Sequence, residues 1–212
     1  MKPGEERVFF PLVVQFGTYL AGLARADFGL SIRTHRSVGT DLAQFLPATL
    51  ELSIVAAVIA LLVGIPLGVY AALARGSFGS QLAMTGSLLG VSLPTFLIGI
   101  LLILIFSVWL GWLPSFGRGE TVRIGWWSSG LFTLDGWLHM ILPALTLAIF
   151  QLTLIMRLVR AEMLEVLRTD YIKFARARGL SDRAIHFGHA LKNTLVPVMT
   201  ITGLQLGGLI AF

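Results

Sequence analysis

Charged residues leave four long gaps in this chain. Leu52–Ala74 runs for 23 residues without Asp, Glu, Lys or Arg and carries Ile54, Val55, Val58, Ile59, Leu61, Leu62 and Val63. Gly76–Gly117 is uncharged for 42 residues and strongly apolar from Leu82 to Leu113. Gly136–Met156 and Asn193–Phe212 add gaps of 21 and 20 residues. A helix needs about 20 apolar residues to cross about 30 Å of hydrocarbon. The pattern therefore predicts spans at about 48–74, 83–113, 137–158 and 194–212, the second with room for one long or kinked helix. Val8–Ala24 is shorter and is interrupted by Pro11, Gln15 and Thr18. Its Leu12, Phe16, Tyr19, Leu20 and Leu23 share one helical face, the pattern of a helix lying in the membrane interface.

Composition removes the competing classes. Of 212 residues, 56% are hydrophobic and 13% charged, against about 25% charged in a soluble domain. There is too little polar side chain to cover a soluble globule, and too much apolar side chain for a disordered one. The chain has no Cys, which excludes disulfides and thiolate metal sites. The class is an all-α polytopic membrane protein.

The net charge of +5 is concentrated rather than spread. From Arg157 to Lys192 there are eight cations against four acids, a net +4, while 114–136 is neutral. Such a cluster beside a span reads as topology and not as a nucleic-acid surface. It puts the 159–192 and 75–82 loops in the cytoplasm, and 114–136 and 1–47 outside. Trp109, Trp112, Trp126, Trp127 and Trp137 then fall at the outer ends of spans, where an aromatic belt is expected. The chain starts outside without a clear first span and stops inside an apolar run. It therefore reads as the middle of a longer protein.

Candidate chemistry inside the spans is sparse. Gly64 and Gly68, Gly86 and Gly90, and Gly203 and Gly207 recur at a spacing that suits close helix packing. Pro66, Pro94, Pro143 and Pro197 mark kinks. Glu51 is the single acid near a span, and a start near residue 48 would put it in the first helical turn, where the macrodipole favours an anion. A coupled carrier needs more ionisable groups than this. There is no GxxxxGK[ST], HExxH or GxSxG, so no catalytic set, cofactor or nucleotide site can be assembled. His186 and His189 have helical spacing, but no third metal ligand stands nearby.

The basic loop is more specific. Leu164, Leu167, Tyr171 and Phe174 predict an amphipathic helix through its first half. Gly179 ends that helix as a left-handed C′ residue, with Leu180 in position for a Schellman contact. Ser181 is a good N-cap for a second helix, with Asp182 in its first turn and Ile185, Phe187, Ala190 and Leu191 among its basic residues. A helix–Gly–helix knuckle is a docking element by shape. The competing reading is a helix held at anionic lipid.

Tyr171-Ile172-Lys173-Phe174-Ala175-Arg176-Ala177-Arg178-Gly179-Leu180-Ser181, then His189-Ala190-Leu191-Lys192-Asn193 and Val196-Pro197-Val198, resembles the cytoplasmic loop of ABC importer permeases. Leu46–Leu52, Gly64–Gly68, Ser92–Phe96 and Leu110–Pro114 extend the likeness over nearly the whole chain, in the same order. Against the general family pattern E-A-A-x3-G-x9-I-x-L-P, only Ala175, Gly179 and Leu191 match. Lys173, Phe174, His189 and Lys192 depart from it. These departures are those of the dipeptide/oligopeptide/nickel branch, which the chain is most similar to.

The resemblance implies the transmembrane domain of a type I ABC importer over 48–212, with four to five spans present and the ends missing. Residues 1–47 would be an extracytoplasmic segment with an interfacial helix. It implies a coupling loop in which Tyr171, Ala175, Arg176, Ala177, Gly179, Leu180, Ser181, His189, Ala190, Leu191, Lys192 and Asn193 serve contact with a separate cytoplasmic ATPase. It also implies a second homologous permease, an extracytoplasmic solute-binding protein, an inner-membrane location, and peptides, nickel or related solutes as cargo. A stand-alone secondary transporter or channel is the alternative.

Overall fold

The computed structural model describes residues 12–211. It is helical apart from one small hairpin. The elements are α1 (Leu12–Ala24), α2 (Val38–Leu73), α3 (Phe78–Ser92), α4 (Thr95–Leu102) running on as a π-helical segment (Ile103–Trp109), β1 (Val122–Ile124), β2 (Trp127–Ser129), α5 (Leu134–Val166), α6 (Asp170–Ala177), a second π-helical segment (Ala184–Ala190) and α7 (Leu191–Ala211). Three helices are long and apolar enough to cross a membrane, or four if the bent pair around Pro94 counts as one span.

The two longest helices, α2 and α5, run side by side in the same direction. Gly64 lies against Leu152 and Ile155, Gly68 against Met156 and Val159, and Arg160 Nε donates to the Ala71 carbonyl at 3.3 Å. The chain returns through α3 and α4, which both pack on α5, with Gly90 against Ile149 and Thr153 and Gly99 against Thr146. One end of the bundle therefore carries the hairpin, and the other carries the basic loop.

The α2–α5 contact is made of small side chains. Ala56, Ala60 and Ala71 on α2 and Ala144 and Val159 on α5 are fully buried. In hydrocarbon, water is not expelled from between helices, so close backbone approach and dispersion must hold them together. The predicted glycine pairs divide on this test. Gly64, Gly68 and Gly90 face a neighbouring helix, whereas an added Cβ at Gly86, Gly203 or Gly207 would meet nothing within 4 Å.

The second predicted span is broken. Its halves, Phe78–Ser92 and Thr95–Trp109, meet at 106°. Pro94 lacks an N–H and disfavours helical geometry at Leu93, so the first helix stops and α4 restarts with Pro94 at its N-cap. Pro66, Pro143 and Pro197 stay inside continuous helices.

Glu51 requires a correction. α2 begins at Val38, behind an N-cap at Ser37 and with Asp41 in the first turn, and runs through Pro47. Glu51 is thus well inside the helix and only 3% exposed, so the first-turn reading fails. Its carboxylate accepts from Trp127 Nε1 at 2.8 Å, from the Gly130 N–H at 3.1 Å and from Arg118 Nη2 at 3.4 Å. Arg118 also donates to the Ser128 hydroxyl at 2.8 Å and to the Ser128 carbonyl. The buried charge is thereby paired, and the hairpin is tied onto α2.

The hairpin itself was not expected. β1 and β2 pair antiparallel, Ile124 opposite Trp127, across the two-residue loop Gly125-Trp126. Gly125 has φ +64°, as the first central position of a type II′ turn requires. α1 exposes Phe16, Tyr19 and Leu20. Residues 8–11 of the proposed interfacial segment lie outside the described residues.

Candidate functional site

The basic loop is built as an extension of α5. That helix runs on to Val166, where a short turn separates it from α6. Leu167 N–H bonds to the Met163 carbonyl at 3.0 Å, and Thr169 bonds to the Val166 carbonyl through both its N–H, at 3.1 Å, and its hydroxyl, at 2.6 Å. The single amphipathic helix predicted from Leu164 to Phe174 is therefore two pieces, the end of α5 and the short α6. The expected face does not carry through: Leu164 and Leu167 are half-buried, but on α6 Ile172 and Ala175 are buried while Tyr171 and Phe174 stand exposed.

Gly179 closes α6 as predicted. It has φ +80°, its N–H bonds to the Arg176 carbonyl at 2.9 Å, and the Leu180 N–H bonds to the Ala175 carbonyl at 3.3 Å. These are the two bonds of a Schellman motif. No atom outside its chain neighbours lies within 4 Å of where a Cβ would stand, so the turn requires glycine for its backbone and not for space. Ser181 then caps the next segment, its Oγ accepting from the Ala184 N–H at 3.4 Å and its carbonyl from the Ile185 N–H at 3.0 Å.

The knuckle is seated on apolar side chains. Ile172 from α6 and Ile185 from the π-helical segment are fully buried. They join Val159 and Met163 of α5, Val69 and Ala72 of α2 and Val198 of α7 in one continuous core. Burying an aliphatic side chain of this size contributes about 1.5–3 kcal/mol. The loop is thus a stiff outgrowth of the bundle.

The predicted site residues divide by position. Ala175 and Ala190 are buried and support the loop from beneath, and Leu191 is half-buried. Arg176, Ala177, Gly179, Leu180, Ser181, His189 and Lys192 are exposed. Tyr171 and Asn193, 22 positions apart, are brought together, the Asn193 amide donating to the Tyr171 hydroxyl at 2.6 Å. This bond ties α6 to α7, and no local spacing signals it. Phe174 and Phe187 stand exposed at 62% and 51%. The Arg178 guanidinium lies 5.2 Å from the centre of the Phe174 ring. Lys173 pairs with Asp170 at 2.7 Å. The outer surface is therefore basic with exposed aromatic rings, a surface suited to a protein groove with acidic margins. Among the described residues, His186 and His189 belong to no group placed to hold a metal ion.

Residues 64–212 match the family model described as the binding-protein-dependent transport system inner membrane component. The chain is 42% identical to the di/tripeptide transport system permease protein DppB of Pseudomonas aeruginosa (strain UCBPP-PA14), over 95% of this chain and 63% of that protein. It is 37% identical to the dipeptide transport system permease protein DppB of Alkalihalophilus pseudofirmus, over 94% of this chain and 64% of that protein. It is 38% identical to the glutathione transport system permease protein GsiC of Escherichia coli (strain K12), over 94% of this chain and 60% of that protein. The chain thus spans less than two thirds of the length of these curated relatives. The family match covers well over half of the chain, and the bent and spanning helices fit it: the chain belongs to the family of binding-protein-dependent transport system inner membrane components.

Proposed function

We propose that the chain is a permease subunit of an ATP-driven, binding-protein-dependent importer, and that its cargo is short peptides. The observation that carries the reading is the continuous apolar core from α2, α5 and α7 into α6 and the π-helical segment. A push on the loop from a partner would be carried to the spans through this shared core. The relatives' names supply the cargo class, since they specify di/tripeptides, dipeptides and glutathione.

In this mechanism the exposed surface around Phe174, Arg176, Arg178, Leu180 and Arg183 seats in a separate cytoplasmic ATPase. Closure of the ATPase on ATP shifts the loop, and α5 and α2 move with it as levers. A second homologous permease forms the other half of the pathway, and a solute-binding protein docks at the hairpin end. The chain would hydrolyse no ATP itself.

The test uses the full-length chain assembled with its ATPase subunits, second permease and binding protein in proteoliposomes. Peptide-loaded binding protein should stimulate ATP hydrolysis and drive peptide uptake. Gly179→Val should insert and assemble yet lose both stimulation and uptake. Undiminished coupling in that variant would remove the loop from the mechanism.

A further inference from the structure

Three buried threonines donate one turn back along the chain. Thr153 donates to the Ile149 carbonyl at 3.0 Å, Thr194 to that of Ala190 at 3.0 Å and Thr202 to that of Val198 at 2.7 Å. Gln151 is different. It lies half-way along α5, is 3% exposed, and among the described residues neither its Oε1 nor its Nε2 has a hydrogen-bond partner. An amide left unpaired away from water costs about 1–3 kcal/mol. An apolar residue of the same length would be better tolerated there.

Gln151 is one of the residues around a cavity of about 200 Å³. Thr95 lines the same cavity from the first turn after the break at Pro94, and Gln205 lines it from α7. The remaining walls include Leu147, Phe150 and Leu209, and no ionisable side chain lines it. Three elements thus converge to offer neutral hydrogen-bonding groups in an otherwise apolar space. One of them is a discontinuous helix, the arrangement in which transported solutes are held at mid-membrane.

A glutamine side chain carries one amide carbonyl and one amide NH2, so it can accept from a backbone N–H and donate to a backbone C=O of an extended peptide. We propose that Gln151, with Gln205 and Thr95, forms a polar step that holds the backbone amide of a peptide passing along this subunit. The proposal rests on the reading of the chain as a permease for short peptides. Neutral amides read the backbone that all peptides share, so side-chain charge is not selected at this step. Because the other walls are apolar, the hold is brief enough for release.

The full transport complex in proteoliposomes tests this with trialanine as probe. Gln151→Met keeps length and removes the amide. Trialanine delivered per ATP hydrolysed should fall about ten-fold, the loss of one well-made hydrogen bond in the transported state. The melting temperature of the variant should rise, because the unpaired amide is gone. Wild-type delivery by a folded Gln151→Met complex overturns the proposal while the peptide reading stands. A wild-type complex that moves no trialanine overturns both. A second measurement does not depend on that variant folding. The chain has no Cys, so Gln205→Cys introduces its sole thiol. A small polar thiol reagent should label it during turnover, and trialanine should slow the labelling. Labelling indifferent to trialanine also overturns the proposal.

Discussion

At Gly179 a single backbone angle carries the geometry of the loop. At φ +80° an L-residue is strained by about 1–2 kcal/mol, although open space surrounds the position. Gly179→Ala should therefore fold and couple weakly, with α6 amides exchanging hydrogen faster than in the wild type. Equal exchange would mean that the turn is held by its neighbours. Glu51 makes the opposite case, a residue whose chemistry is set by distant partners. Because the Arg118 side chain is 32% exposed, removing Glu51 costs less than the about 3–5 kcal/mol of a fully buried ion pair. Glu51→Ala should lower thermal stability accordingly and open the Gly117–Gly130 segment to protease, while Glu51→Gln, whose single amide oxygen keeps an acceptor for one of Trp127 and Gly130, should lose less. Proteolysis at the wild-type rate in Glu51→Ala would dissociate the hairpin from α2.

Helix-to-helix contact is governed by different rules inside and outside the spans. Between α2 and α5, a Cβ at Gly68 would stand 2.7 Å from the Met156 carbonyl oxygen and 2.7 Å from Val159 Cβ. Overpacking of this kind costs about 1–3 kcal/mol, so Gly68→Ala should lower the melting temperature in detergent. Gly203→Ala, with nothing within 4 Å, should leave it unchanged. Equal effects from the two would show that the α2–α5 contact is looser than its geometry. At the loop, water is expelled, and Ile172→Ala should cost about 2–5 kcal/mol locally, read as faster hydrogen exchange through α6. The elements that were legible in sequence are those whose signal is local. Gly179 and Ser181 announce a helix end and a helix start, and uncharged runs announce spans. The start of α2 was misplaced because Val38–Pro47 is too polar to register as a span, although Ser37 and Asp41 mark the N-terminus. The hairpin was missed because its strands are only three residues each, although the Gly125-Trp126 pair is a turn signal. The Tyr171–Asn193 bond and the unpaired state of Gln151 depend on packing between distant segments, which no local pattern encodes.

Across the whole molecule, the charge pattern and the topology make one statement. α2 and α5 run parallel, so the ends that carry Arg75 and the 159–192 loop lie together, and the neutral hairpin loop lies at the opposite end. The net +4 of the loop would hold that end on the cytoplasmic side. The hairpin end would then face outward, and Trp109, Trp112 and Trp126 are all exposed. This orientation is open to direct measurement because the chain lacks Cys. Thr121→Cys and Asp182→Cys each place one thiol at an exposed position at opposite ends. With an impermeant maleimide on intact inner-membrane spheroplasts, the thiol at 121 should label at once. The thiol at 182 should label only after permeabilisation. The reverse order would invert the topology, put the basic knuckle out of reach of a cytoplasmic ATPase and end the coupling mechanism.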